Sequence, residues 1–429
     1  MYFLYSILLS LGFVLMLPFF LVRREKYASG FSQRLGNYPE FKHDGRDVIW
    51  LHCVSVGEAN AARPLVDRLI ESFPDHRLVM STTTKTGQEL ARKIFADKTD
   101  AIFYFPFDFK FTVRRALANY KPTLVLLMET EIWPRLIHEA KLSGAKVAIV
   151  NGRLSQRSFD RYSRLRSFVR RVLADVDLAL MQNEADAARI IDLGIDSDKV
   201  AVTGNLKFEQ LPNENEADRT EEFRTRFAIS SNKPLIIAAS THEPEERLVI
   251  EALDGELGHS CRLMIAPRHP ERFDAVEKLL RGSSRSFVRR SSAPSDQDRD
   301  AHIILLDSIG ELRAAYPLAE IVFVGGSLIP HGGQSVLEPA VEGKAIVTGP
   351  YTHNFETVTR EFLSKNAIVH LEACDDDAKL CRRLHYALVD LLGNPEKRRE
   401  LGQNARTTLI ANRGATERTI EGLRGVVVA

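Results

Sequence analysis

What constrains this chain most is a repeated alternation. Short, almost wholly apolar runs are each followed by an amphipathic stretch, five times before residue 209 and five times after residue 232. The first series is 47–53, 76–81, 123–128, 145–150 and 177–181; the second is 233–239, 262–266, 302–306, 320–325 and 344–348. Runs this short and this continuously apolar suit strands of a parallel sheet covered on both faces. Helical patterns such as 62–73 and 86–95 lie between them, and strand, helix, strand repeated in this way means a doubly wound α/β fold. The pattern breaks at Glu209-Gln-Leu-Pro-Asn-Glu-Asn-Glu-Ala-Asp218, which is polar and acidic. The expectation is two Rossmann-like α/β domains, 47–208 and 233–429, joined by a linker at 209–232. A Ser/Arg/Asp-rich stretch, 282–299, reads as a mobile loop, and 376–422 reads as helices whose last members can pack back on the first domain. Ligands of such sheets bind beyond the strands' carboxyl ends, so the cleft between the two halves is the expected site.

The N-terminus is a separate element. Residues 1–22 hold no charged side chain, and Arg23, Arg24 and Lys26 follow at once. About 20 helical residues cross a ~30 Å hydrocarbon core, so 1–22 reads as a membrane anchor and 23–46 as a basic juxtamembrane segment. A cleaved leader would carry a basic start and a small-residue cleavage site, and neither is present. Positive charge after the helix keeps that side in the cytoplasm. The alternative is an apolar helix lying in the interface or against the protein. Overall charge is nearly balanced, 58 basic against 57 acidic side chains. This argues against a whole-surface grip on nucleic acid, which needs an excess of positive charge. Four scattered cysteines without a C-x-x-C pair exclude a zinc ribbon or a disulfide scaffold and fit a reducing compartment.

Three strand-end motifs in the first half carry polar chemistry. His52-Cys-Val-Ser-Val-Gly-Glu58 leaves the first strand and enters a helix. Glu58 at that helix start either satisfies the helix dipole or takes a proton from a hydroxyl nucleophile. Glu129-Thr-Glu-Ile-Trp-Pro134 follows another strong strand; its acids are ordinary loop polarity, or else bind a ligand or orient a second catalytic group. Asn151-Gly-Arg153-Leu-Ser155 opens a basic helix on which Arg157, Arg161 and Arg164 share one face. Guanidinium groups so placed are a solvated surface or a seat for phosphate and anionic lipid. Gly204-Asn-Leu-Lys207-Phe208 ends the half with an ammonium suited to an anionic ligand.

In the second half three strand ends converge on a nucleotide-linked substrate: Ser240-Thr241-His242, Arg268-His269-Pro-Glu-Arg272, and Gly325-Gly326-Ser327 running through Gly333-Gln334-Ser335 to Glu338. Backbone N–H groups at a glycine turn entering a helix cradle phosphate without a metal, and Glu338 suits ribose hydroxyls. The dinucleotide G-x-G-x-x-G spacing is missing, as are a P-loop and H-E-x-x-H. Their absence argues against NAD enzymes, P-loop hydrolases and zinc hydrolases.

Taken in order, these motifs together with Gln33-Arg-Leu-Gly36 and Arg268-His-Pro-Glu-Arg-Phe273 resemble those of the 3-deoxy-D-manno-octulosonic acid (Kdo) transferases of lipid A assembly. These are membrane-associated glycosyltransferases of the GT-B fold, and the resemblance covers nearly the whole chain. It implies inverting, metal-independent and cofactor-free transfer of Kdo from CMP-Kdo to the glucosamine 6′-hydroxyl of a lipid A precursor, at the cytoplasmic leaflet of a bacterial inner membrane. It further implies Glu58 as general base, Glu129 as the second functional acid, and Arg268, Gly326, Ser327 and Glu338 on the CMP side. Arg153, Arg157, Arg161 and Lys207 are the expected acceptor or anion contacts. Two departures stand out: Gln334-Ser335 where the family leads us to expect His-Asn, and Pro244 where a glycine is expected. The alternative is a membrane-associated GT-B transferase using a UDP-sugar.

Overall fold

The computed structural model describes residues 2–22, 29–209, 216–230, 233–283, 285–374 and 376–427, with the first helix's side chains described as far as Leu15. The chain divides into two compact units, Met1–Glu209 with Asn412–Ala429, and Gln210–Ala411.

Each unit is built on a seven-stranded parallel sheet. In the first, β1 (Asp47–Cys53), β2 (His76–Thr82), β3 (Ala101–Tyr104), β4 (Leu124–Met128), β5 (Lys146–Gly152), β6 (Leu178–Met181) and β7 (Val200–Val202) lie in the order β3-β2-β1-β4-β5-β6-β7. The winding reverses between β1 and β4, and such a switch opens a crevice at the carboxyl ends of those two strands. Alternate residues of β1 serve opposite faces, as a period of two demands. Trp50 packs with Phe103, Tyr120 and Val125 on one side, while Ile49 and Leu51 pack with Leu65, Met80 and Leu126 on the other. The last helix, Ala415–Val427, returns to this unit, laying Ile420 and Leu423 into the second cluster.

The second unit repeats the plan with β8 (Leu235–Thr241), β9 (Arg262–Pro267), β10 (Phe287–Arg289), β11 (Ile303–Leu305), β12 (Ile321–Val324), β13 (Ala345–Thr348) and β14 (Val369–His370). Their order is β10-β11-β9-β8-β12-β13-β14, and the switch falls between β8 and β12. Two expectations change here. The stretch expected to be a linker holds the helix Glu216–Arg226, fixed to this unit by buried Phe223 and Phe227 and by a buried ion pair between Arg226 and Asp298 at 2.7 Å. Residues 282–299, read as mobile, contain β10. Their polar composition serves internal pairing: Arg289 meets Asp307 at 2.6 Å and Arg290 meets Glu311 at 3.0 Å.

Residues Tyr2–Val22 form one helix. One face lies on the first unit: the Tyr2 ring stacks on His138, Tyr5 donates to Asp108 at 2.8 Å, and Arg135 donates to the Tyr2 carbonyl and to Ser6 Oγ, both at 2.8 Å. Phe3, Leu4, Leu8, Leu11 and Leu15 are exposed. Among the described residues no helix is long and apolar enough to cross a membrane. Further on, Gln33 accepts the Tyr104 N–H at 2.9 Å, and Arg34 lies over the Tyr104 ring, tying the Gln33-Arg-Leu-Gly36 motif to the edge strand β3.

Candidate active site

In the first unit the acids gather where the sheet's winding reverses. After β1 the chain turns at Ser55, which caps the helix Val56–Ala61, and Glu58 is three residues into it. The pair makes a variant of the capping box: Ser55 Oγ accepts the Glu58 N–H, and the Glu58 carboxylate accepts from Ser55 Oγ at 3.1 Å and, in place of the Ser55 N–H, from the Val54 N–H at 2.7 Å. Glu58 is only 7% exposed. Burial, then the nearby Glu129 charge, lift its carboxyl to about 8, against the pull of the Val54 and Ser55 hydrogen bonds.

Glu129 follows β4 in a left-handed backbone conformation, φ 55°, which a residue with a side chain holds only under constraint. Lys207 Nζ pairs with it at 3.2 Å. The lysine is set by two asparagines: Asn205 accepts the Lys207 N–H at 3.0 Å, and buried Asn151, at the end of β5 and also left-handed, accepts the Leu206 N–H at 2.9 Å. Burial and the Glu129 charge push the Glu131 carboxyl up as well. His52, fully buried under the Phe105 ring, is held down at about 3 by desolvation and stays neutral, so it is no rival base. The structure therefore brings Glu58, Glu129, Glu131 and Lys207 into one electrostatic neighbourhood. Arg153 anchors the adjoining turn through its main chain, its N–H donating to Thr130 Oγ1 at 2.8 Å. Arg157, Arg161 and Arg164 stand exposed on or at the end of the helix Gln156–Ser163.

In the second unit the loops after β8, β9 and β12 lie side by side, as the strand order requires. The glycine turn differs from expectation. The N–H groups of Gly326, Ser327 and Leu328 all donate to the buried carboxylate of Glu245, at 2.6, 2.9 and 2.9 Å, and the His242 N–H joins them at 2.9 Å. An amide cradle at Gly326 and Ser327 is thus already filled by the protein's own anion. Burial pushes the Glu245 carboxyl up, against these four donors, which favour its charged form. Ser327 Oγ accepts the Gly349 N–H at 2.8 Å, and Thr241 Oγ1 donates to Glu246 at 3.0 Å. Both side chains are fully buried, so their hydroxyls serve the framework. Ser240, left-handed at φ 53°, is the penultimate residue of β8, where the pairing with β9 shifts register. Gln334 reaches His242 at 3.3 Å, Gly333 N–H closes on the Gly326 carbonyl at 2.7 Å, Ser335 Oγ accepts the Leu337 N–H at 3.3 Å, and Glu338 pairs with Arg313 at 3.3 Å. Arg268 and His269 are exposed at the end of β9.

Sequence reading missed Asn151 as a support and missed Glu245 and His331 altogether, while His242 was named only as part of the Ser240-Thr241-His242 strand end. The doubled acid Glu245-Glu246 entering a helix was the available signal for the second of these. Among the described residues no group of His, Cys, Asp or Glu side chains is arranged to hold a metal ion.

Comparison with known proteins gives the family. Residues 29–210 match the family model "3-Deoxy-D-manno-octulosonic-acid transferase (kdotransferase)". The chain is 32% identical to the 3-deoxy-D-manno-octulosonic acid transferase of Haemophilus influenzae, over 94% of this chain and 92% of that one. It is 32% identical to the enzyme of the same name from Bordetella pertussis, over 87% and 86%. The crystal structure of UDP-GlcNAc 2-epimerase from Neisseria meningitidis matches 88% of this chain and 100% of its own, with a TM-score of 0.59 at 14% identity. That likeness shows the fold alone, a GT-B-like pair of parallel-sheet α/β units. With the motifs in order along the sequence and relatives matched end to end, the chain belongs to the 3-deoxy-D-manno-octulosonic acid transferase family, glycosyltransferases of lipopolysaccharide biosynthesis.

Proposed function

We propose that the chain moves Kdo from CMP-Kdo to the glucosamine 6′-hydroxyl of a lipid A precursor, in one inverting displacement with Glu58 as proton acceptor. The Glu58 carboxylate takes the hydroxyl proton as that oxygen bonds to the anomeric carbon. The bond from that carbon to the phosphate oxygen breaks with its electron pair, and CMP leaves. The observation that carries this reading is the Glu58 carboxyl itself: buried, held by a variant capping box at a strand end, and lifted to about 8. A carboxylate made more basic by its surroundings is a better proton acceptor at working pH than an exposed one. Glu129, pinned by Lys207, is the second functional acid; it keeps Glu58 basic and orients the acceptor. The exposed arginines 157, 161 and 164 suit the acceptor's phosphates. In the second unit Arg268, His269, Gln334 and Ser335 face CMP, and charge on the leaving phosphate is met by protein groups in place of a metal.

The first helix supports a seat at the inner membrane. Its exposed row of Phe3, Leu4, Leu8, Leu11 and Leu15 suits lipid, and the basic residues after it, Arg23, Arg24 and Lys26, suit the anionic cytoplasmic face. Purified full-length protein incubated with CMP-Kdo and a tetraacylated lipid A precursor tests the proposal by the mass of the lipid. A gain of one or more Kdo residues, inhibited by CMP and not by UDP, is expected. Unchanged lipid with intact substrates and folded protein refutes the assignment, and inhibition by UDP alone points to a UDP-sugar donor.

A further inference from the structure

Three imidazoles meet at the carboxyl ends of the second sheet's central strands. His242 follows β8, His269 follows β9, and His331 lies in the loop after β12. The His242 ring centroid is 4.1 Å from that of His331 and 5.2 Å from that of His269. Arg268 and Arg272 add positive charge from the β9 loop. The acids on the same elements are engaged by Arg272 and by backbone N–H groups. Glu243 and Glu246 pair with Arg272 at 2.7 and 3.1 Å, and Glu245 is enclosed by four backbone N–H groups. Glu271 sits on the outer side at 3.8 Å from His269. The cluster therefore gathers three imidazoles and the Arg268 guanidinium beside an Arg272 already paired with two carboxylates, and His242, buried at its centre, has no carboxylate partner among the described residues.

We propose that His242, His269 and His331 are the seat of the donor's anionic group, and that the cluster takes up a proton as the anion arrives. This rests on the reading that the second unit binds CMP-Kdo, and it locates the charge that the glycine turn, filled by Glu245, leaves unplaced. In the free protein, burial first and then His331, His269, Arg268 and Arg272 hold His242 down at about 4, so it is neutral near pH 7. A phosphate or carboxylate reverses the sign of the local field, and the imidazole it touches becomes the better-protonated species. Gln334 serves both states. Its amide faces His242 Nε2 at 3.3 Å and, turned over, accepts from a protonated ring, since its N and O ends differ by a rotation only. The sign follows from linkage: a ligand that raises a histidine's pKa binds more tightly as pH falls between the free and bound values, up to tenfold per pH unit per proton. His331 gives this chain an imidazole beside His242, while position 334 carries a glutamine.

Titration calorimetry of the full chain with CMP near pH 7.5, in buffers of different ionisation enthalpy, counts protons directly. Wild type is expected to take up about one proton per CMP. His331→Gln, an exposed position that leaves folding undisturbed, should lower that count by about half and weaken CMP about tenfold, and His242→Gln should bring the count near zero. CMP binding without proton uptake, or with the same count in all three proteins, overturns this proposal and leaves the donor assignment standing. Failure of CMP to bind at all, with the protein folded, overturns the donor assignment as well.

Discussion

Replacing Glu58 with Gln separates a catalytic carboxylate from a structural one. The amide keeps the shape of the side chain and an oxygen to accept the Val54 N–H, which lies 2.7 Å from the carboxylate, so the helix cap survives. Ionisation is lost. The wild-type carboxyl is lifted from 4.5 to about 8, chiefly by burial. At ~1.36 kcal/mol per pH unit that lift amounts to roughly 5 kcal/mol of ionisation cost as an upper bound. Because the folded value lies above the unfolded one, the stability tied to the neutral acid is fully present below about pH 4.5. It is lost as pH rises toward and through 8. The glutamine variant carries no such loss. Its stability relative to wild type is therefore expected to improve by about 3–4 kcal/mol between pH 5 and pH 9. Urea unfolding followed by tryptophan fluorescence reads this in the right place, since both tryptophans, Trp50 and Trp133, belong to the first unit. In the same variant the single-turnover rate should fall by about 10²–10⁴ while CMP affinity is unchanged. A stability difference that is flat in pH would refute the buried-acid argument, and a wild-type rate would refute the base.

Glu129→Gln removes the like charge that helps lift Glu58, so the rising limb of the pH–rate curve should move to lower pH; a limb that stays in place contradicts the coupling. Glu245→Gln puts an NH2 where backbone N–H groups need an acceptor, and calorimetry should find CMP bound at least tenfold more weakly, with about 1–3 kcal/mol lost in the second unit's stability. Changing Arg157, Arg161 and Arg164 together to Gln should weaken partition to anionic vesicles by about 3 kcal/mol, near 1 per arginine. Flotation on anionic and neutral vesicles checks this, since a loss on both would point away from electrostatics.

The ten apolar runs were legible because a parallel strand buried on both faces has almost no polar positions. The strands that escaped, β3, β7, β10 and β14, are two to four residues long, and only β3 has buried side chains, Phe103 and Tyr104. Strands this short, even the apolar β3 and β7, hold too few residues to display a strand's periodicity. Glu58 could be found because its partner Ser55 is three residues away, within the reach of local pattern. For Glu245 the doubled acid could mark the position but not the role, which depends on amides 81 to 83 residues further on. The same holds for Asn151, whose partner Leu206 is 55 residues distant. The phosphate cradle expected at Gly326 and Ser327 failed for a related reason, since glycine spacing reveals a turn and says nothing about what already fills it.

The central claim is that a buried, basic Glu58 accepts the proton in the transfer. The measurement that tests it most directly is the single-turnover rate of lipid modification against pH, with CMP-Kdo and acceptor both saturating so that binding linkage drops out. The account predicts a rate that climbs about tenfold per pH unit below neutrality and levels off near 8, where the carboxyl is ionised. A rate that is flat across this range, or that falls through it, would contradict the account.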